Sequence, residues 1–196
     1  MNVSRETQQS LLRYQALAER WNSKINLVAP STLPDFFERH IVDCLQISQS
    51  ICDPRGHWVD LGSGGGLPGI IMALLYKNAP VRFTLIESDS RKSAFLRTVI
   101  RELGLSHASI LAERIESAEP QQADIISARA LAPLPLLLSY VHRHGKPDGI
   151  SLLMKGRSWK DEIDAASPHW RFQVDAIPSK TDPEAAILKV SGVTHG

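Results

Sequence analysis

The sequence predicts an α/β protein in which helices cover both faces of a doubly wound, mostly parallel sheet. From His57 onward, short runs of β-forming residues alternate with amphipathic helical runs. A glycine-rich turn joins the first strand-like run to a helix, and only a short connection separates the last two strand-like runs. Alternation at this spacing places successive strands in parallel, whereas the short final connection favours an antiparallel hairpin at the sheet edge.

The first 55 residues are predicted to form a helical cap. Apolar residues from Leu11 to Trp21 recur at helical spacing and predict an opening amphipathic helix. A second amphipathic helix is predicted to begin after Ser31 and Thr32, which are suitable N-caps, and to end near Ile51.

The remainder, residues 56–196, is predicted to be one compact unit. Its strands are predicted at residues 57–61, 81–87, 108–112, 123–128, 150–155, 169–178 and 184–191. Helices are predicted at 69–76, at 90–103 and after Pro133. We expect Ser90 to cap the second of these helices and Gly104 to end it, because glycine readily adopts the left-handed conformation that terminates helices.

Composition indicates an ordinary globular domain. The chain has 196 residues, of which 43% are hydrophobic and 22% charged. No run reaches the roughly 18 apolar residues of a membrane span, and the start of the chain is polar, so we expect a cytoplasmic protein. Because the net charge is only +1, nucleic-acid binding would require a local basic face.

Cysteine and histidine spacing gives no indication of a metal site. Cys44 and Cys52 form no CxxC pair, and the seven histidines form no HxxxH or HExxH pattern. His142 and His144 are expected at a solvated helix end. We therefore expect no metal.

The glycine run "VDLGSGGGLPGI" at residues 59–70 marks the candidate ligand site. Ile70 follows the last glycine where a phosphate-binding P-loop requires lysine, which excludes that loop. Gly64, Gly66 and Gly69 satisfy GxGxxG, with Glu87 at the end of the next strand, so a dinucleotide site remains open.

An acid followed by spaced glycines, Asp60-x-Gly62-x-Gly64, favours S-adenosylmethionine instead. That cofactor carries an ammonium group, a carboxylate and a ribose diol but no phosphate. We expect Gly64 to line the cofactor site and Glu87 to bind the ribose hydroxyls at the carboxyl end of its strand. Glu87 is alternatively a first-turn acid of the next helix, and Asp60 an anchor for backbone N–H groups of the loop.

The glycine run and the later strings closely resemble the small-subunit ribosomal RNA methyltransferase G family (RsmG, also called GidB). The matching strings are "VDLGSGGGLPGI", "LIESDSRKSAFL", "ERIES", "ISARA" and "LLMKG", with "WNSKINL" and "RHIVDCL" upstream. The resemblance implies a Rossmann-like class I S-adenosylmethionine-dependent methyltransferase fold. It also implies transfer of a methyl group to nitrogen seven of one guanosine in the decoding region of 16S ribosomal RNA.

The resemblance also implies roles for five residues. Gly62 and Leu67 would line the cofactor, Ile115 and Glu116 would flank its adenine, and Arg129 would lie against its methionyl end. Without the family, the favoured interpretations are structural: Ile115 as a core residue, Glu116 as a surface charge and Arg129 as part of an ion pair.

The residues themselves narrow the methyl acceptor. The strand that ends "SARAL" carries no Asn/Asp-Pro-Pro-aromatic motif, which enzymes that methylate exocyclic amines commonly use. Carbon methylation of a pyrimidine needs a cysteine nucleophile near the carboxyl edge of the sheet, and both cysteines precede the predicted sheet. Guanine nitrogen seven fits, because it has an exposed lone pair and needs no general base. We nominate no catalytic residue and expect catalysis by positioning.

The predicted partner is 16S ribosomal RNA or the small-subunit particle, bound by a monomer. Arg39, His40 and Lys155 are the candidate substrate contacts, although a solvated charged face is the alternative. Other basic candidates are Lys24, Arg91, Lys92, Arg97, Arg101, Arg157 and Lys160. Two rival functions remain: an NAD-dependent oxidoreductase and a noncatalytic RNA-binding ribosome-assembly factor.

Overall fold

Seven strands form one sheet in the computed structural model, which describes residues 3–196. In chain order they are β1 (Gly56–Leu61), β2 (Val81–Ile86), β3 (Ala108–Leu111), β4 (Ala123–Arg129), β5 (Gly145–Lys155), β6 (Trp170–Pro178) and β7 (Ala186–His195). Their spatial order is β3-β2-β1-β4-β5-β7-β6. Strands β1 to β5 are parallel, whereas β7 runs antiparallel to both β5 and β6. The predicted α/β architecture with an antiparallel edge hairpin is confirmed.

Helices cover both faces of the sheet. They are α1 (Arg5–Asn22), α2 (Asp43–Leu45), α3 (Gly69–Leu75), α4 (Ser90–Leu103), α5 (Leu134–His144) and α6 (Trp159–Ala166). Successive strand residues point to opposite faces, so Trp58 packs with the cap, α3 and α4, while Val59 packs with α5 and α6. None of these helices is both long and apolar enough to cross a membrane within residues 3–196.

The second cap helix was wrongly predicted as one continuous α-helix. The predicted capping residues lie in a separate 3₁₀ turn at Pro30–Thr32, and the helical segment after it changes from a π-helical turn at Phe37–Val42 through the short α2 to a 3₁₀ turn at Gln46–Ser50. A π-turn adds a residue to the helical repeat and therefore rotates the residues that follow it. The apolar pattern was nevertheless correct, because Phe36, Ile41, Cys44 and Ile47 are all buried.

Of the two caps predicted for α4, the C-terminal one is confirmed and the N-terminal one is wrong. Gly104 adopts φ +62° after the last helical residue, as predicted. The N-cap is Asp89 rather than Ser90: the Asp89 carboxylate accepts the N–H groups of Arg91 at 2.8 Å and Lys92 at 3.1 Å. A carboxylate also interacts favourably with the helix dipole, which explains why Asp89 takes this position.

His144 is buried, contrary to the expectation of a solvated helix end. Its side chain has no exposed surface, and its Nε2 lies 2.8 Å from the carbonyl oxygen of Ile115. Burial lowers the pKa of His144. A neutral imidazole therefore supports the loop that carries Ile115, while His142 at the same helix end is exposed.

The cap is attached directly to the glycine loop. The buried hydroxyl of Tyr14 on α1 donates a hydrogen bond of 2.6 Å to the carbonyl oxygen of Gly65. Apolar residues of the cap, including those of α1, also belong to one hydrophobic cluster with α3, α4 and one face of the sheet. The cap therefore forms part of the surroundings of the loop, and a boundary at residue 55 stays a prediction.

Candidate active site

The glycine run forms a tight turn between β1 and α3. Gly64 has φ +55°, a conformation that residues with a side chain rarely adopt. Gly69 is required for a different reason: a Cβ atom there would lie 2.6 Å from the Asp60 carboxylate. The spacing of the glycines thus reflects both backbone conformation and close packing.

The Asp60 carboxylate lies beneath this turn and is almost completely buried. One oxygen accepts the Ser127 hydroxyl at 2.6 Å, and the other accepts the Ser63 hydroxyl. The backbone N–H of Gly69 also donates to it. Burial raises the pKa of Asp60 to about 6, although these hydrogen bonds act in the opposite direction. Asp60 therefore anchors the loop, and sequence reasoning missed its two serine partners.

Glu87 connects the glycine loop to the end of β2. Its Oε2 accepts the N–H of Gly64 at 2.8 Å, and its Oε1 accepts the N–H of Asp89 at 2.8 Å. The side chain is 8% exposed. Because each carboxylate oxygen can accept more than one hydrogen bond, both oxygens retain capacity for a ligand.

A cavity of about 540 Å³ lies at the carboxyl ends of β1, β2 and β4. The strand order reverses between β1 and β4, which is where open α/β sheets bind ligands. All seven residues predicted to bind the cofactor line this cavity: Gly62, Gly64, Leu67, Glu87, Ile115, Glu116 and Arg129. The sequence did not identify the part of the cavity wall that comes from the cap, namely Leu27, Val28 and Thr32.

The cavity lining fits S-adenosylmethionine. The carboxylate of Glu87 suits a ribose diol, and Ile115, Leu67 and Leu131 provide apolar surface for an adenine. Arg129 supplies a cation suited to a carboxylate. A volume of this size matches known cofactor sites.

Arg129 is held by the cap. Its Nη2 lies 2.7 Å from His40 Nδ1, its Nε lies 3.6 Å from an Asp43 oxygen, and its Nη1 lies 3.6 Å from Cys44 Sγ. The side chain is 20% exposed. The structural ion pair considered as the alternative for Arg129 is therefore present, and it orients a guanidinium that also lines the cavity.

His40 is the partner of Arg129, and the structure does not support the prediction that it meets an RNA phosphate as a cation. The residue is 6% exposed, and its Nε2 lies 2.8 Å from the Thr32 hydroxyl. Burial and the neighbouring Arg129 lower the pKa of His40 to about 4. The imidazole is therefore neutral near pH 7, with Nδ1 accepting from Arg129.

Lys155 is also unsuited to an RNA phosphate. Its side chain is 9% exposed, its Nζ lies 2.6 Å from a Glu162 oxygen, and the same ammonium donates to the Ala132 carbonyl at 2.8 Å. Arg39 differs, because it is exposed and forms no ion pair within residues 3–196. Of the three predicted substrate contacts, only Arg39 presents a free cation.

Cys44 lies near the carboxyl end of β4, although it precedes all the strands of the sheet in the sequence. Its sulfur contacts Arg129, at the end of β4. The thiol is completely buried, and burial raises its pKa to about 12, so Cys44 is not a thiolate nucleophile. Among residues 3–196 no group of three potential metal ligands comes together.

Comparison with known families gives a direct match. The model of the family described as "GidB: rRNA small subunit methyltransferase G" matches residues 7–187. The chain belongs to the rRNA small subunit methyltransferase G family. A relative with the same family description from Paracoccus denitrificans (strain Pd 1222) is 48% identical over 195 residues, which cover 100% of both chains. Another from Gluconobacter oxydans (strain 621H) is 49% identical over 96% of this chain and 95% of its own.

Solved structures show the same fold at low identity. An S-adenosylmethionine-dependent methyltransferase from Aquifex aeolicus superposes with a TM-score of 0.61 at 12% identity, over 90% of this chain and 97% of that one. A ribosomal protein L11 methylase from Lactobacillus delbrueckii subsp. bulgaricus gives 0.64 at 15%, over 79% and 78%. Membership in this family makes the chain a methyltransferase, and the family together with the shared fold supports S-adenosylmethionine as its cofactor. The oxidoreductase and the noncatalytic factor are set aside.

We predict that Gly64→Ala weakens cofactor binding about tenfold or more, because its methyl group enters the cavity lining. Gly104→Ala is the matched control: both glycines have positive φ, and an added Cβ meets no protein atom closer than 3.8 Å at Gly64 and none within 4 Å at Gly104. Each variant should lose about 1 kcal/mol of stability. Calorimetric titration with S-adenosylmethionine measures the affinity of each variant. Equal affinities would contradict the placement of Gly64 beside the cofactor.

We predict that His40 makes stability depend on pH between about 4 and 6.5. In this range the unfolded chain binds a proton at His40 and the folded chain does not, so the free energy of unfolding rises with pH. Relative to His40→Asn, the wild type should gain roughly 2 to 3 kcal/mol from pH 4 to 7. His169→Asn, at an exposed histidine, is the control in urea denaturation. A constant difference between wild type and His40→Asn would refute the neutral imidazole.

Proposed function

We propose that the protein transfers a methyl group from S-adenosylmethionine to nitrogen seven of a guanosine in 16S ribosomal RNA. One observation carries the proposal. The carboxylate of Glu87, fixed by the N–H of Gly64, faces a cavity of nucleoside-cofactor size at the strand-order reversal. Membership in the rRNA small subunit methyltransferase G family supports the ribosomal substrate.

The lining residues have separate roles in this proposal. Glu87 binds the ribose hydroxyls, Ile115 and Glu116 flank the adenine, and Arg129 binds the methionyl carboxylate. The bound cofactor supplies an electrophilic methyl group. Gly62 and Gly64 allow the backbone to approach it closely, and Leu67 contributes apolar lining.

Catalysis by positioning agrees with the chemistry of the cavity. His40, the histidine that lines it, has both ring nitrogens engaged, by Thr32 and by Arg129. It is therefore not available as a general base. Guanine nitrogen seven has a free lone pair and needs no deprotonation, so alignment of the reacting atoms is the main requirement.

RNA binding is assigned to exposed cations outside the lining of the cofactor cavity. Arg39 and Arg97 are exposed and form no ion pair within the part of the chain that the structure describes. Arg101, another predicted candidate, lies 3.6 Å from Glu102. With a net charge of +1, such local cations must provide the contacts with phosphates. We further propose a cytoplasmic monomer that requires no metal.

The test is methyl transfer to RNA that lacks the modification. Small ribosomal subunits and free 16S RNA from a deletion strain are incubated with the protein and labelled S-adenosylmethionine, and mass spectrometry locates the methyl group. We expect one 7-methylguanosine per RNA. Glu87→Gln should reduce transfer about tenfold to hundredfold, because a hydrogen bond to a charged group is lost, whereas Glu119→Gln at an exposed site should not. Methylation of another atom, or no transfer, would refute the proposal.

A further inference from the structure

A second cavity, of about 830 Å³, adjoins the cofactor cavity. The two cavities share Thr32, His40, Arg129 and Ala130, so they meet at the carboxyl end of β4. A volume of this size accommodates a nucleotide. The second cavity is therefore placed where an acceptor could face a methyl donor.

We propose that this second cavity holds the acceptor guanosine, and that Gln46 positions its outer wall, the loop 179–182. The inference rests on the proposed function, because it requires an RNA guanosine as the methyl acceptor. It adds a specific site to that function and assigns a role to the C-terminal hairpin.

The amide of Gln46 joins the cap to the loop 179–182. Its Nε2 donates to Asp43 Oδ1 at 2.7 Å and to the Ser179 hydroxyl at 3.1 Å, while its Oε1 accepts the N–H of Lys180 at 2.9 Å. The residue is only 5% exposed. Because an unsatisfied buried amide is costly, these bonds hold the loop in one position.

Asp43 extends this connection to the cofactor cavity. The Thr181 hydroxyl donates to Asp43 Oδ1 at 2.6 Å, and Asp43 Oδ2 lies 3.6 Å from Arg129 Nε. Arg129 lines both cavities. A continuous series of polar contacts therefore runs from the outer loop to the residue that orients both ligands.

Two carboxylates of the second cavity, whose lining also carries Arg39, Arg129, Lys155 and Lys180, suit a guanosine whose nitrogen seven faces the cofactor. Asp182 and Glu38 line the cavity and have no cationic partner within residues 3–196. Carboxylates attract the N1–H and amino donors of guanine and repel its O6 and nitrogen seven acceptors. Hydrogen bonds from N1–H and the amino group to these carboxylates would leave the lone pair of nitrogen seven free to face the first cavity, while the exposed Arg39 is available for a phosphate.

Three variants test the inference with small ribosomal subunits from the deletion strain. Gln46→Leu removes the hydrogen bonds between the Gln46 amide and the loop. Thr181→Val removes the hydroxyl that donates to Asp43, and Thr181→Ser retains it. We expect kcat/KM for the subunits to fall about tenfold in the first two variants, mainly through KM, and to stay within about twofold in Thr181→Ser. The Kd for S-adenosylmethionine, measured by calorimetry, should stay within about twofold in all three.

Thr181 is exposed, so its variants keep the inference testable if Gln46→Leu fails to fold. Unchanged kcat/KM in Thr181→Val, an equal loss in Thr181→Ser, or a parallel loss of cofactor affinity would overturn the inference. In each of these cases the wild type still methylates guanosine, so the proposed function stands. Absence of transfer by the wild type overturns the proposed function and, with it, this inference.

Discussion

The buried carboxylate of Asp60 is the constraint on which the active site depends. Removing this group from water is costly unless it is hydrogen-bonded, and the donors come from three separate segments. Ser63 belongs to the glycine loop, Gly69 begins α3, and Ser127 lies on β4. One carboxylate thus connects the end of β1 to the loop, the helix and the neighbouring strand. This arrangement sets the shape of the loop independently of any ligand.

Local sequence patterns predicted the sheet, the glycine loop and Glu87, and the family resemblance supplied the other cofactor residues. Glycines with positive φ and a close approach at Gly69 leave a distinctive spacing, which identified the loop directly. Glu87 and Arg129 end different parallel strands, and the carboxyl ends of such strands meet at one edge. Convergence of the predicted residues on one cavity is therefore a consequence of topology, together with the family resemblance.

His40 and Lys155 have partners that the positions of the two residues in the sequence do not reveal. His40 appeared to be an RNA cation until its contact with Arg129, 89 positions away, was placed. Lys155 likewise appeared free until Glu162 on α6 was found beside it. A charge in a sequence does not reveal its partner, and burial determines whether a histidine is charged at all.

The central claim is that the cavity beneath the glycine loop binds the nucleoside part of S-adenosylmethionine through Glu87. The most direct measurement is a crystal structure of the protein with S-adenosylhomocysteine. We predict both ribose hydroxyls within hydrogen-bonding distance of the Glu87 carboxylate and the adenine against Ile115. A nucleoside bound in another cavity, or with its ribose turned away from Glu87, would contradict the account.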